Sequence, residues 1–457
     1  MLVPTWMAIQ EAFDGKKVLL VWPVARVTRR WVEWLGTLGL ETPFVLALYE
    51  GPSKPLSIPP QQVCVLRPGP LPQADPEERM FEQWESAMQS LPDTALARLD
   101  AWDPTHEAVV IVPSASQLQS VGGRPVFGGT PSIRHAIENK SKVDQLFAEL
   151  HMETAPHQVV PLAQATAAAA ALDLGQGTVW AGDNTSTIEA GARALAHVFD
   201  EPSAHRARML LADRCKTVRV QPFLPGVPCS IQGICTPDGV ALTVPTEMLV
   251  LRDPSLGTFL LVGMSTAWDP PVCVTERLRS MARTVGDHLR TAHCWRGGFS
   301  LDAIATPDGQ VWPTEINARM SAGLTLLDGV LPGPSLELME RLLREDLPIG
   351  VSATHLERWM ARPLRARRTN LVRVRTPHAP AQDHREAIAF EPARIVPGPG
   401  SEGTLEWVAE GSRGVLRLEL DPIRHPRGTR VAPRVQQALG LAATLWNLPV
   451  AQWRAAR

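Results

Sequence analysis

Short apolar runs alternate with amphipathic stretches along the first part of the chain. Lys17–Trp22 (KVLLVW) is a continuous apolar run with the length of a buried parallel strand, and Thr28–Leu38 reads as the helix after it. Gln62–Leu66 and Ala108–Val112 are further strand candidates, the latter ending at Pro113. Glu77–Ser90 has the period of an amphipathic helix, while Pro-rich Gly51–Pro60 and Pro68–Pro76 read as loops. Alternating strands and helices predict an open α/β layer. No Gly-x-Gly-x-x-Gly follows the first strand, so nothing marks a dinucleotide site.

The middle of the chain changes pattern. Val143, Leu146, Phe147 and Leu150 recur at helical spacing, with Lys140 at the start of that helix. Cys215–Gly233 reads as a strand, a Pro-Gly turn and a returning strand, and Ala241–Ser265 as strands that carry Glu247 and Arg252. Thr275–Thr291 is an amphipathic helix with Leu278, Met281, Ala282, Val285 and Leu289 on its apolar face. Leu336–Leu343 is a short helix. From about residue 350 the chain becomes Pro- and Arg-rich. Strand-like runs follow at Asn370–Val374, Ala387–Phe390, Thr404–Val408 and Val415–Leu420, then a helix at Val435–Leu445. Arg358, Arg362, Arg365, Arg367, Arg368, Arg373 and Arg375 in this small, partly β region read as a solvated basic face.

Chemistry concentrates between Gly297 and Gly323. Phe299–Ala305 and Val311–Asn317 read as two strands joined at Asp308-Gly309, a strong signal for a two-residue hairpin turn with positive φ at both residues. That turn places Asp302 directly opposite Glu315, with Asn317 on the face of Glu315. Facing carboxylates repel unless a cation lies between them, and a hard divalent ion with oxygen ligands suits two carboxylates and an amide. Arg319 and the Ser321-Ala322-Gly323 turn follow at once, a cation beside backbone open to a phosphate or carboxylate. Pro313 cannot donate to a ladder, so this strand is expected at an edge or bulged.

Composition narrows the classes. The 457 residues are 44% hydrophobic, with a formal charge of −2 and a mean hydropathy near zero, which is enough for two to four packed units and gives no pull toward nucleic acid or anionic membrane. No apolar run approaches the ~18 residues of a spanning helix, and the N-terminus lacks the order of a signal peptide, so a cytoplasmic protein is expected. Cys64, Cys215, Cys229, Cys235, Cys273 and Cys294 are scattered without metal spacing and are expected reduced. Lysine occurs only at Lys16, Lys17, Lys54, Lys140, Lys142 and Lys216.

The run Gly-Phe-Ser-x-Asp, a turn, then Glu-Ile-Asn-x-Arg resembles the metal-binding hairpin of the ATP-grasp ligases. The resemblance implies an α/β and α+β multidomain protein: a pre-ATP-grasp α/β domain (1–128), a lid and first nucleotide-binding subdomain (129–220), a catalytic subdomain with the hairpin (221–349) and a C-terminal extension (350–457). It implies ATP and Mg²⁺ as cofactors, with Asp302, Glu315 and Asn317 as metal ligands, and Lys140 and Arg319 as catalytic contacts to phosphate or substrate. Gln221, Pro222, Phe223 and Leu224 would form the adenine hinge, where the Gln221 amide carbonyl would bind the adenine amino group. Gly182, Ser186 and Thr187, in a loop running to Gly191, would cover the phosphates, with Arg252 facing them and Glu247 facing substrate.

The chain departs from the family pattern at Trp180-Ala181, where a second lysine is expected, leaving Lys216 or an arginine to substitute. The implied reaction joins a small-molecule acid to an amine or peptide through an acylphosphate, a homodimer is compatible with it, and the overall layout is most similar to the pheganomycin-type peptide ligases of secondary metabolism. Two other readings stay open: a biotin-carboxylase-like or purine-pathway ligase, and a nucleotide-binding module without turnover.

Overall fold

The computed structural model describes residues 2–51, 56–69, 77–140, 142–182, 194–212, 214–366, 369–377, 382–391, 394–398, 402–410, 413–421, 423–424, 428–450 and 452–456. The chain divides into two compact units. The first comprises Met1–Ser132, Trp295–Gly297 and Pro332–Ser352. Its sheet is four-stranded and parallel, with β1 (Val18–Val24), β2 (Phe44–Tyr49), β3 (Val63–Val65) and β4 (Val109–Ile111) in the order β3-β2-β1-β4. β1 and β2 are apolar almost throughout because both faces are covered, and Leu19, Phe44, Leu46, Trp84 and Leu99 share one core. Helices Arg29–Thr37 and Glu77–Gln89 form where the apolar spacing predicts them. The pattern did not mark β2 or helices Val3–Phe13 and Asp93–Trp102. A two-stranded ribbon, β5 (Ser120–Val121) and β6 (Arg124–Pro125), carries Arg124, whose buried guanidinium is tied to Asp103 at 2.6 Å.

The second unit comprises Ile133–Cys294, Gly298–Leu331 and Ala353–Arg457. Its first layer is antiparallel: β7 (Gln158–Pro161), β8 (Thr178–Gly182), β9 (Leu195–Val198) and β10 (Thr217–Pro222), with β10 between β7 and β8. Helices Ala165–Leu172 and Glu201–Ala212 share a core with Trp180, Val218 and Val220 of this layer.

The larger sheet holds β11 (Val227–Thr236), β12 (Gly239–Leu242), β13 (Thr246–Asp253), β14 (Thr258–Ser265), β15 (Gly297–Ala305) and β16 (Val311–Asn317), in the order β16-β15-β11-β13-β14, with β12 paired to β11. The long helix Val272–Ala292 buries Leu278, Met281, Ala282, Val285 and Leu289, the face read from its spacing.

β14 continues into a C-terminal sheet of β17 (Asn370–Pro377), β18 (His384–Phe390), β19 (Ile395–Pro397), β20 (Gly403–Glu410) and β21 (Arg413–Leu420). Helix Ala432–Trp446 packs with it. The last strand, β22 (Arg454–Ala455), returns to pair antiparallel with β13. The stretch called Pro- and Arg-rich contains a helix, Ala353–Ala366, that takes Pro363 within its length. Among the described residues no helix is long and apolar enough to cross a membrane. The six cysteines are free, four of them buried.

Candidate active site

The β15–β16 hairpin forms with Asp302 paired to Glu315 and Ser300 to Asn317, as the sequence predicts. The route to that register differs from the prediction. Ala305 pairs with Val311, Thr306 N–H donates to Gln310 O at 2.9 Å, and Gly309 N–H donates to Thr306 O at 3.0 Å, so the loop is three residues, Pro307 to Gly309. Only Gly309 has positive φ (+84°), so the expected two-residue turn with two positive φ values is corrected. A bulge between Asp302 and Ala303, opposite Pro313 to Glu315, then restores the register. Pro313 lacks an N–H to give the ladder, which is the physical reason for an irregularity there. The two one-residue shifts cancel before the carboxylates are reached.

A cavity of about 380 Å³ in the second unit gathers the predicted residues. Lys140, Asp302, Glu315, Asn317 and Arg319 line it, and so do Gln221, Pro222, Phe223 and Leu224. Lys140 Nζ lies 3.7 Å from Glu315 Oε2, and the lysine is 8% exposed. It does not start the helix, as expected from spacing. It lies in the link between helices Arg134–Ile137 and Val143–Glu149, and exposed Lys142 is the residue at the N-cap. Arg319 is paired to Glu138 and also donates to Asn317 Oδ1 at 3.0 Å.

Asp302 is the most constrained group. Its Oδ1 accepts from Ser230 Oγ at 2.6 Å and its Oδ2 from Asn317 Nδ2 at 3.0 Å. Burial, and then the facing charge of Glu315, push its carboxyl up to about 7. Ser230 Oγ in turn accepts from Gln232 Nε2 at 2.9 Å, and Gln232 is fully buried. Gly323 packs against it so closely that a Cβ there would stand 2.4 Å from Gln232 Nε2 and displace the amide. Ser230, Gln232 and Glu138 were not singled out by sequence. Strand alternation along β11 puts Ser230 and Gln232 on one face, a signal that was available; no local pattern marks Glu138.

Among the described residues no group of three or more His, Cys, Asp or Glu side chains is placed to hold a metal. The site offers two carboxylates and an amide oxygen instead. Mg²⁺ keeps several waters and takes one or two carboxylates together with substrate phosphates, so this set fits it.

Other expected residues fall elsewhere. Ser186 and Thr187, with the loop from 183 to 193, lie outside the described residues. Gly182 ends β8 and is not among the cavity-lining residues. Ala181, where a lysine was expected, does line the cavity, whereas Trp180 is buried in the core behind it. Directly across from Ala181 on β10 stands Arg219, also lining the cavity. Asp144 grips its guanidinium at 2.6 and 2.7 Å, and Arg219 donates to the side-chain oxygen of Gln221. That oxygen already accepts one hydrogen bond and keeps a second lone pair, and Gln221 lines the cavity.

Arg252 is not among the lining residues. Its guanidinium sits over the Phe223 ring, 5.1 Å from the centroid, and donates to His197 Nδ1 at 2.7 Å. Burial holds His197 below its usual range, matching a neutral ring whose Nε2 donates to Gln176 O at 2.7 Å. Glu247 does not face the cavity. It is fully buried, pairs with Arg430 at 3.1 Å, and accepts from the Val431 and Ala432 N–H groups (2.6 and 3.2 Å) that open helix Ala432–Trp446. Its role is to cap that helix.

No protein-family model matches the chain, and no curated protein matches it. Solved structures do. Carboxyaminoimidazole ribonucleotide synthase from Aspergillus clavatus, complexed with ATP, is 14% identical over 92% of this chain and 98% of that one, with a TM-score of 0.51. The biotin carboxylase domain of Hydrogenobacter thermophilus 2-oxoglutarate carboxylase, solved as a dimer with MgADP, ADP and bicarbonate, is 10% identical over 89% and 86%, with a TM-score of 0.53. Rhizobium etli pyruvate carboxylase is 13% identical over 90% of this chain and 36% of that one, with a TM-score of 0.54. These likenesses establish the fold as that of the ATP-grasp enzymes.

Proposed function

We propose that this chain is an ATP- and Mg-dependent carboxylate–amine ligase that makes an amide bond through an acylphosphate. One observation carries the reading: a single cavity holds the hinge Gln221–Leu224 together with Lys140, Arg319 and the facing carboxylates Asp302 and Glu315. The solved ATP and MgADP complexes of the similarly folded proteins support a nucleotide and Mg²⁺ here.

Asp302, Glu315 and Asn317 would hold Mg²⁺, which supplies neutralising charge at the phosphates when bound. Lys140 and Arg319 add positive charge where phosphate oxygens would lie, and Ser230 with Gln232 fixes the orientation of Asp302. A substrate carboxylate oxygen attacks the terminal phosphorus of ATP, and the bond from that phosphorus to ADP breaks. The amine nitrogen then attacks the carbonyl carbon; the new C–N bond forms, the C–O bond to phosphate breaks, and the amine loses a proton. The chain contributes positioning, charge and exclusion of water from the acylphosphate. The acid is amino acid-like and the acceptor an amino acid or peptide amine, as in the peptide ligases of secondary metabolism that the overall layout resembles.

The test is phosphate release from Mg-ATP with acids and amines, singly and in pairs, with mass spectrometry of products. Release that depends on a pair, with a product one water lighter than the two together, supports the ligase. The absence of lysine at Ala181 favours a second reading, a nucleotide-binding module without turnover; tight ATP binding with no phosphate release across the panel would support that one.

A further inference from the structure

One cation of the cavity wall is not used by the chemistry above. The antiparallel layer turns Val179 and Ala181 of β8, Leu195 of β9, and Arg219 and Gln221 of β10 to the cavity. They are cross-strand neighbours, Val179 with Gln221, and Ala181 with both Arg219 and Leu195. Of these side chains Arg219 alone carries charge, and it is 4% exposed. A cation buried this far requires a partner, and Asp144 supplies one.

Asp144 grips the guanidinium by one edge. Its Oδ2 accepts from Arg219 Nε at 2.6 Å and its Oδ1 from Nη2 at 2.7 Å, while His157 Nε2 lies 3.4 Å from the same Oδ2. Two parallel hydrogen bonds fix the plane of the fork. The remaining nitrogen, Nη1, donates to Gln221 Oε1. Nη1 carries two N–H groups, and one acceptor oxygen uses one of them. The neighbours give the place of this donor. Gln221 belongs to the hinge and lies two residues on along the same strand face, about 7 Å away. Asp144 is in the first turn of helix Val143–Glu149, four residues after Lys140, whose Nζ is 3.7 Å from Glu315 Oε2. Arg219 thus links the hinge side of the cavity to the side that holds the carboxylates.

We infer that Arg219 is a nucleotide-binding residue whose Nη1 donates to the phosphate nearest the base, with Asp144 holding it in position. The inference rests on the nucleotide part of the ligase reading. A nucleotide with its base at Gln221–Leu224 and its far phosphates beside Lys140 and Arg319 passes its first phosphate along β10. Among the cavity-lining side chains of this layer only Arg219 and Gln221 can donate to it. Ala181, directly opposite, is short enough to leave room beside the guanidinium. Because Asp144 balances the charge, the pair offers a donor of fixed direction more than a net attraction, and it rests buried without a ligand.

The test is equilibrium binding of adenosine, AMP and ADP to the full chain without added metal. Arg219→Leu together with Asp144→Leu removes the pair as a unit, so no buried charge is stranded. That protein should bind AMP and ADP about tenfold or more weakly than the unaltered chain, and adenosine within about twofold of it. Adding Ala181→Lys returns a cation from the facing strand and should recover most of the lost AMP and ADP affinity. Arg219→Lys leaves Asp144 a partner and should fold in any case. It should still lose ADP affinity by at least about threefold, because an ammonium lacks the fork that serves a carboxylate and a phosphate at once. An equal loss for adenosine, or a loss that Ala181→Lys does not lessen, makes the pair a tie between helix and strand and overturns the inference. Unchanged ADP affinity in both Arg219 variants overturns it as well. A chain that binds none of the three probes loses the nucleotide reading and this inference together. Phosphate-dependent binding that follows Arg219, with no phosphate release for any acid–amine pair, would sink the ligase reading and leave Arg219 in its role.

Discussion

Asp302 and Glu315 can be compared with Glu247, a third carboxylate of the same sheet. Asp302 and Glu315 face the cavity from β15 and β16, one against the other. Glu247 stands on β13 with no exposed surface, its oxygens satisfied by Arg430 and two helix-opening N–H groups. Leu249 and Leu251 share its strand face and join the core with helix Ala432–Trp446, whereas Met248 and Val250 face the cavity. One face of the sheet therefore uses its carboxylate to hold a helix, and the other sets two carboxylates opposite each other with Lys140 beside Glu315. The difference teaches where function lies: a fold tolerates unresolved repulsion where a ligand resolves it, and satisfies its carboxylates where they only build.

The sharpest way to break the comparison is Glu315→Ala. It should lower turnover by about a hundredfold or more while the fold stays intact by circular dichroism. Retained activity in a folded variant would remove Glu315 from the site. Glu247→Ala should do the reverse, destabilising by about 3 kcal/mol because Arg430 and the helix start lose their partner; urea unfolding checks it, and a stable variant with altered substrate affinity would return Glu247 to the site. Lys140→Ala should weaken ATP use by about tenfold or more, and Lys142→Ala by less than about twofold, because only Lys140 lines the cavity. Equal effects in steady-state kinetics would remove that distinction.

The smallest effect is in pH. The folded Asp302 carboxyl is raised to about 7 from an ordinary value near 4, so its share of stability is fully present below that ordinary value and is lost as pH rises through about 7. Metal-free protein should lose a few degrees of melting temperature over that window. Mg²⁺ with nucleotide, or Asp302→Asn, should flatten the loss; a pH-independent melting temperature in metal-free protein would contradict it.

Much of this was written locally. The hairpin, the long amphipathic helix and the first parallel strand rest on apolar spacing and turn residues within one segment, which sequence exposes directly. The two-residue turn was misread, yet the pairing of Asp302 with Glu315 came out correctly because Pro313 forces a compensating bulge. Arg252 and Glu247 share a strand, and the sequence offered both to the site. Strand alternation alone sends them to opposite faces, but which face is the cavity depends on what packs behind the sheet. The hydrogen bond from Arg219 to the side-chain oxygen of Gln221 joins neighbouring cavity-lining residues and was not foreseen from sequence.

By itself, the sequence determined the elements and the set of acids, amide and cations that can meet a metal-bound phosphate. These follow from periodicity and residue chemistry over short spans. Only the tertiary structure decided that Glu138 holds Arg319 across the site, that Arg219 faces the position of the missing lysine, and that Ala456 returns to line the cavity. Such contacts join residues far apart in the chain, and they arise when packing the sheets and helices fixes which faces meet, information that no local pattern carries.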